Sequence, residues 1–236
     1  MTTEKRFDGR ADDELRPIIA KAGIIKRADG SGYFKIGNTE AYVAVYGPRN
    51  LYPKFMQNPE RGILRCSYNM MPFSGAGERV RPGGSRRSKE ISLVTEKALM
   101  PVLDLEEYPN SVVDIFIEFP QTDAGTRCAG ICAASIALAD AGLAMKDMVN
   151  AVAMGYNKGR IMIDVSKEEE DIEGMTDIPV AILPRTGKIS LLQMDGQIPA
   201  ADLKRAIAMA KEASKKLYEI QKNALKEKYH SFDSGD

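Results

Sequence analysis

The sequence predicts an α+β fold built as a single domain, on three observations. Strand-like and helix-like stretches come in clusters: several strands, a helix, a strand, a helix, several strands and one long final helix. The 236 residues suffice for one large domain or two small ones, and no stretch between the periodic segments has linker composition. Hydrophobic residues make up 44% and charged residues 28%, an ordinary globular balance. One domain is therefore expected over 1–236, with a core of about 7–228 and a short polar tail at 229–236.

The first elements are strands. Asp8-Gly9 and Asp29-Gly30 are turn signals, and Ile18, Ile19, Ile24 and Ile25 between them suggest a strand. Residues 31–36 and 40–46 alternate apolar with polar and are joined by Gly37-Asn38-Thr39, which predicts a hairpin ended by Gly47-Pro48-Arg49-Asn50. Residues 50–62 read as an irregular loop with Lys54 and Arg61, followed by a strand over 63–71 in which Arg65 faces away from its neighbours. Pro, Gly and Ser mark 72–85 as a mobile loop carrying Arg79 and Arg81.

A helix is expected from 86 to about 103, with Ile91, Val94 and Ala98 as its apolar line. Four residues before Ile91, Arg87 falls on that same inward line, whereas Arg86 aligns with Glu90 and Lys97 on a polar face. Arg86 can pair with Glu90 or face solvent. An inward arginine at a helix start needs an anionic partner.

A strand over 111–119 leads into the stretch around which the chain is organised, QTDAGTRCAGICAASIALADAG at 121–142. Small side chains around its whole circumference mark a helix buried on most sides. Thr126 suits the helix start, where its hydroxyl can accept from a free amide, and Gly125 lets the backbone approach a ligand closely. Arg127 falls in the first turn, where a cation opposes the helix dipole. It is either a surface arginine on an ordinary capped helix or part of an anion cradle with Gly125 and Thr126, since free amides at a helix start bind phosphate.

The two halves read as a degenerate repeat, each with a sheet and helices, without sequence identity to prove it. Residues 151–156 and 160–165 form a hairpin around Asn157-Lys158-Gly159, an acidic run follows at 168–173, and strands at 178–183 and 188–194 flank Pro184-Arg185-Thr186-Gly187. A helix from 199 to about 228 turns Leu203, Ile207, Ala210, Leu217, Ile220 and Ala224 inward. The acidic run taken alone reads as a solvated loop.

Several chemistries are excluded. Lys plus Arg and Asp plus Glu both number 33, so any basic surface is local. The one histidine, His230, lies near the polar tail, which argues against Ser-His-Asp or Cys-His catalysis. Acid-base work falls to carboxylates, Lys or Tyr. Cys128 and Cys132 share a helix face, as a metal pair or as small core residues, and core is favoured because only Cys66 and His230 remain to complete a zinc site; with Cys66 they make an odd, reducing-compartment set that predicts a cytoplasmic location. The start of the chain lacks an apolar signal segment, no run has membrane-spanning length, and no G-x-x-x-x-G-K-[ST] occurs.

Phe7-Asp8-Gly9-Arg10, Gly37-Asn38-Thr39, Met71-Pro72-Phe73-Ser74, Ser85-Arg86-Arg87, Asp123-Ala124-Gly125-Thr126-Arg127 and the segment 171–180 together resemble the ribonuclease PH-like family over nearly the whole chain, and within it the catalytic subunits of archaeal exosome rings. The resemblance implies a duplicated βαβα fold that forms hexameric rings with an inactive paralogue and RNA-binding cap subunits. It implies phosphate-dependent 3′-to-5′ degradation of single-stranded RNA ends, releasing nucleoside diphosphates and reversible to tailing. Gly125, Thr126, Arg127 and Arg87 would hold inorganic phosphate, and Arg86, Arg65, Arg61 and Lys54 would contact RNA. Asp171 and Asp177 match the paired acids that protonate the leaving oxygen or hold Mg²⁺. A stand-alone homohexameric ribonuclease PH trimming tRNA 3′ ends and a non-catalytic RNA-binding ring subunit are the alternatives.

Overall fold

Two sheets and three long helices pack together, with one of the helices between the sheets. The computed structural model describes residues 6–76, 80–81 and 83–233; Arg79, residues 234–236 and the side chains of 230–233, His230 included, lie outside that description, while the backbone of 229–233, expected in the polar tail, continues the last helix. In the first sheet β1 (Ile18–Ala22), β2 (Gly30–Ile36), β3 (Thr39–Asn50), β4 (Ile63–Met70) and β5 (Ser111–Gln121) take the order β1-β2-β3-β5-β4. All its pairs are antiparallel except β4 with β5. Ile24 and Ile25 fall beyond β1, because Gly23 turns the chain at a φ of 72°. The expected hairpin closes with Ile36 opposite Thr39, and β3 runs past Gly47 to Asn50 through a register shift between Tyr46 and Arg49.

The parallel pair is joined by α1 (Arg86–Leu99), which opens on a capping box between Ser85 and Ser88. It ends before the expected 103 because Pro101 lacks an amide to donate, and the chain continues as a 3₁₀ turn, Met100–Val102. Its buried line is Ile91, Thr95, Ala98 and Leu99; Val94, expected there, is only half-buried.

The second sheet is antiparallel throughout, with β6 (Asn150–Asn157), β7 (Arg160–Ile163), β8 (Thr176–Leu183) and β9 (Lys188–Leu192) in the order β7-β6-β8-β9. The acidic run is not an open loop. It folds as the short helix α3 (Lys167–Glu170), capped by Ser166 and Glu169 acting on each other's amides, and Glu169 is buried.

The organising stretch forms α2 (Thr126–Asp140), which packs on β2 and β3 of one sheet and on β6 and β8 of the other. The small residues permit this closeness: a Cβ at Gly32 would stand 2.3 Å from the Ala133 carbonyl oxygen. Cys128 and Cys132 are both buried here as core residues, and burial pushes the Cys132 thiol up to about 12. The last helix, α4 (Ala200–Asp233), lies against β1, β6 and β7. Its fully buried stripe is Ala206, Ala210, Ala213, Ser214, Leu217, Gln221 and Ala224, with Ile207 and Ile220 at the margins. Gln221 donates to the Cys132 and Val149 carbonyls at 3.0 and 3.2 Å and accepts from Asn150 at 2.8 Å. The buried apolar side chains of both sheets and of α1, α2 and α4 join in one cluster.

Candidate active site

The strand β5 ends at Gln121 and the chain enters α2 through a turn in which Ala124 and Gly125 both take left-handed backbone angles, φ 54° and 64°. The first amide to bond within the helix is that of Ala129, to the Gly125 carbonyl at 3.0 Å. The amides of Thr126, Arg127 and Cys128 thus lack intrahelical acceptors, and these three residues line a cavity of about 330 Å³. Such a helix start attracts anions. Thr126 does not cap it. Gly125 is the cap residue and no side chain caps the helix, while the Thr126 hydroxyl accepts from the Tyr68 hydroxyl at 2.8 Å.

The cavity is walled by both halves of the molecule. The end of β4 contributes Tyr68, Asn69 and Met70; α1 contributes Arg87; α3 contributes Lys167 and Glu170; β8 contributes Asp177. Arg127 approaches Glu90 at 3.6 Å, while its buried Nε has no hydrogen-bond partner among the described residues. Arg87 is exposed at the rim rather than turned into the core. The four cations Arg87, Arg127, Lys167 and Arg81 therefore share one opening with the free amides.

Asp177 is fixed by backbone bonds exchanged with Asp195 at 3.0 and 2.9 Å. Its carboxyl is pushed up to about 6, first by burial and then by the charge of Glu170; Arg127 and Arg87 act in the opposite direction. A carboxyl near 6 can hold a proton for a leaving oxygen. Asp171 stands differently from expectation. It is exposed, absent from the cavity wall, and bonded to Lys167 Nζ at 2.5 Å, so the carboxylate that faces the cavity beside Asp177 is that of Glu170. Among the described residues no group of three or more His, Cys, Asp or Glu side chains is placed to hold a metal.

The expected RNA contacts are dispersed. Arg86 faces solvent, one of its two expected outcomes, beside the cavity but not on its wall, and Glu90 bonds Gln193 at 3.3 Å besides facing Arg127. Arg65 grips Asp114 with two bonds of 2.7 and 2.9 Å. It lies five residues before the cavity-lining Met70, about 16 Å along a strand. Exposed Arg61 and Lys54 are on the loop before β4, at that same far end of the sheet.

Sequence reasoning missed Tyr68, Lys167 and Glu170 on the wall and Arg16 beneath it. The S-x-x-E pattern at Ser166 to Glu169 is a helix-start signature that places Lys167 and Glu170 on one turn. Tyr68 shares the inward face of β4 with Leu64, two pleats away. For Arg16 there was no local signal, because its partner Asp164 lies 148 residues away.

Comparison with known proteins gives a consistent result. The 3′ exoribonuclease family matches in two parts, domain 1 over residues 14–144 and domain 2 over residues 147–213. A protein named exosome complex component Rrp41 from Methanopyrus kandleri is 50% identical over 224 residues, covering 95% of this chain and 93% of that protein. A protein of the same name from Nitrosopumilus maritimus is 48% identical over 225 residues, covering 95% and 91%. Rice Rrp46 superposes with a TM-score of 0.84 at 22% identity, over 94% of this chain and all of that one. A chain of the Archaeoglobus fulgidus exosome with RNA bound to the active site gives 0.78 at 22% identity, over 91% and 92%.

Proposed function

The chain belongs to the 3′ exoribonuclease family, and from that premise we propose that it is the catalytic subunit of an exosome-type ring, shortening RNA from the 3′ end by phosphorolysis. The observation that carries this reading is one cavity in which the free amides of α2 and the cations Arg87 and Arg127 face Asp177. Amides and cations hold an attacking phosphate and neutralise the charge spread over the phosphoryl oxygens. Asp177 donates its proton to the departing 3′ oxygen. No histidine or activated nucleophile is required, because phosphate itself attacks.

Gly125, Thr126, Arg127 and Arg87 bind the phosphate in this proposal, and Lys167 joins them from the opposite wall. Arg86 meets the RNA backbone near the cavity, while Arg65, Arg61 and Lys54 meet the strand at a distance. Asp177 and Glu170 present only oxygen donors, which suits a hard cation such as Mg²⁺; with the cation bound, Asp177 would be its carboxylate ligand in place of the proton donor. Asp171 would join them on exchanging Lys167 for the metal, which would stabilise the developing negative charge. The partners are the 3′ end of single-stranded RNA, an inactive paralogue in a hexameric ring and RNA-binding caps, in the cytoplasm; among the described residues no helix is long and apolar enough to cross a membrane. The two matched segments form one folding domain over 1–236.

The test is product analysis of a labelled RNA with and without inorganic phosphate. Nucleoside diphosphates formed only with phosphate are expected. Monophosphates formed at the same rate without phosphate would make this a hydrolase. The chain alone should act more slowly per site than the chain assembled with its paralogue, because linked contacts raise effective concentration; equal rates would remove the ring from the proposal.

A further inference from the structure

The turn that forms the anion cradle is held from behind by a buried cation that stands outside the lining of the cavity described above. Arg16 precedes β1 and its side chain is only 5% exposed. Its Nε and Nη2 grip the Asp164 carboxylate at 2.9 and 2.7 Å, and Asp164 also accepts from the Arg16 backbone amide at 2.8 Å. That bidentate pair fixes the guanidinium plane. The remaining nitrogen, Nη1, donates to the Asp123 carbonyl at 2.6 Å. A Cβ added to Gly125 would stand 3.5 Å from Nη2, so the guanidinium lies directly under the cradle.

The other side of the same turn is held by Thr39. Its hydroxyl donates to the Ala124 carbonyl at 2.7 Å and accepts from the Asp123 amide at 2.8 Å. Asp123 in turn accepts from the Lys167 amide at 3.0 Å, which ties the turn to α3 on the opposite wall. Ala124 is a non-glycine residue at φ 54°, a conformation that persists only where its surroundings impose it.

We infer that Arg16 is a positioning residue for the phosphate cradle: held by Asp164, it clamps the Asp123 carbonyl and thereby aims the free amides of α2 at the anion. Thr39 performs the same task from the opposite side. The inference rests on the phosphate reading of the cavity given above. A residue acting this way governs how well phosphate is bound and leaves the proton donor in place. Its loss therefore raises the KM for phosphate and spares kcat.

The experiment measures phosphorolysis of a labelled RNA against inorganic phosphate concentration, in the assembled ring, for the parent, Arg16→Met, Arg16→Lys and Thr39→Val. Thermal unfolding is followed alongside, so that only rings folded at the assay temperature are compared. Arg16→Met should raise the phosphate KM about tenfold, and Thr39→Val about threefold to tenfold, the scale of one or two lost hydrogen bonds. The kcat at saturating phosphate should stay within about threefold of the parent. Arg16→Lys, which keeps the charge but loses the fork, should recover part of the KM. Thr39→Val is near-isosteric and keeps the test decisive if Arg16→Met does not fold. Variants with lowered melting temperature and unchanged phosphate KM overturn the inference, as does a fall in kcat at constant KM. A parent indifferent to phosphate overturns the reading of the cavity and this inference with it; a parent that responds, with variants that respond alike, overturns this inference alone.

Discussion

In the mechanism proposed above the chemistry turns on Asp177, and its environment gives that proposal two measurable signs. Its carboxyl sits near 6, well above its ordinary value of 3.8, because it is buried next to Glu170. A phosphate anion in the cavity adds negative charge and pushes in the same direction. As a proton donor it is active when protonated, so the rate should fall as pH rises through about 6 and above. Asp177→Asn should lower single-turnover decay at least about a hundredfold while leaving RNA retention on a filter nearly intact; decay at close to the parental rate would end the assignment. The stability effect has the opposite sign. A carboxyl whose folded value is raised contributes stability below its ordinary value and loses it as pH rises through the folded one. Asp177→Asn should therefore melt higher than the parent at pH 7.5, and the gap should close toward pH 4, a comparison made by calorimetry in chelator-treated buffer. The helix starts that carry Arg87 and Arg127 were legible in the sequence from their turns and caps, whereas Asp177 was named only through the family resemblance. Asp171 was also named through the resemblance, and that it turns outward to Lys167 was not legible, because a helix of one turn decides which of two neighbouring acids looks inward and a run of five acidic residues at 168–171 and 173 does not reveal that phase.

At the scale of elements, α2 against β2 is the contact with least slack. Gly32→Ala brings a methyl to 2.3 Å from the Ala133 carbonyl oxygen, an atom of backbone that cannot swing aside. The helix or the strand must shift, which should destabilise the fold by about 1–3 kcal/mol, read as a lower urea midpoint at unchanged slope. A midpoint within error of the parent would show that the layers have room. Strands and turns of this architecture were readable from alternation and from Gly-Asn and Lys-Gly turns. The long helix was readable in position and partly in phase: Ala210, Leu217 and Ala224 are buried as expected, but the stripe also takes Ala206, Ala213, Ser214 and Gln221, whereas the bulky isoleucines at 207 and 220 sit at the edge. Hydrophobicity ranks isoleucine first, but the narrow gap between α4 and α2 selects small residues and one amide that satisfies the carbonyls of Cys132 and Val149. The buried pairs Arg16–Asp164 and Arg6–Glu169 were invisible for a different reason, since their partners lie 148 and 163 residues apart and only the closed fold brings them together.

Across the whole molecule the two sheets share one apolar core, so heat should unfold the chain in a single transition with equal calorimetric and van't Hoff enthalpies; two transitions would show that the segments 14–144 and 147–213 melt separately. The cavity lies on the seam between these halves, with α1 and α2 on one wall and α3 and β8 on the other. An anion seated there bonds to both at once and relieves the mutual repulsion of the cations around it. Inorganic phosphate is then a stabiliser as well as a substrate. At a hundred times its dissociation constant it should add about 2.7 kcal/mol to the folded state, and the melting temperature should climb with the logarithm of phosphate concentration while chloride at equal ionic strength leaves it nearly still. A cell that runs short of phosphate would thus loosen the same protein whose reaction it starves, coupling the lifetime of the enzyme to the supply of its nucleophile.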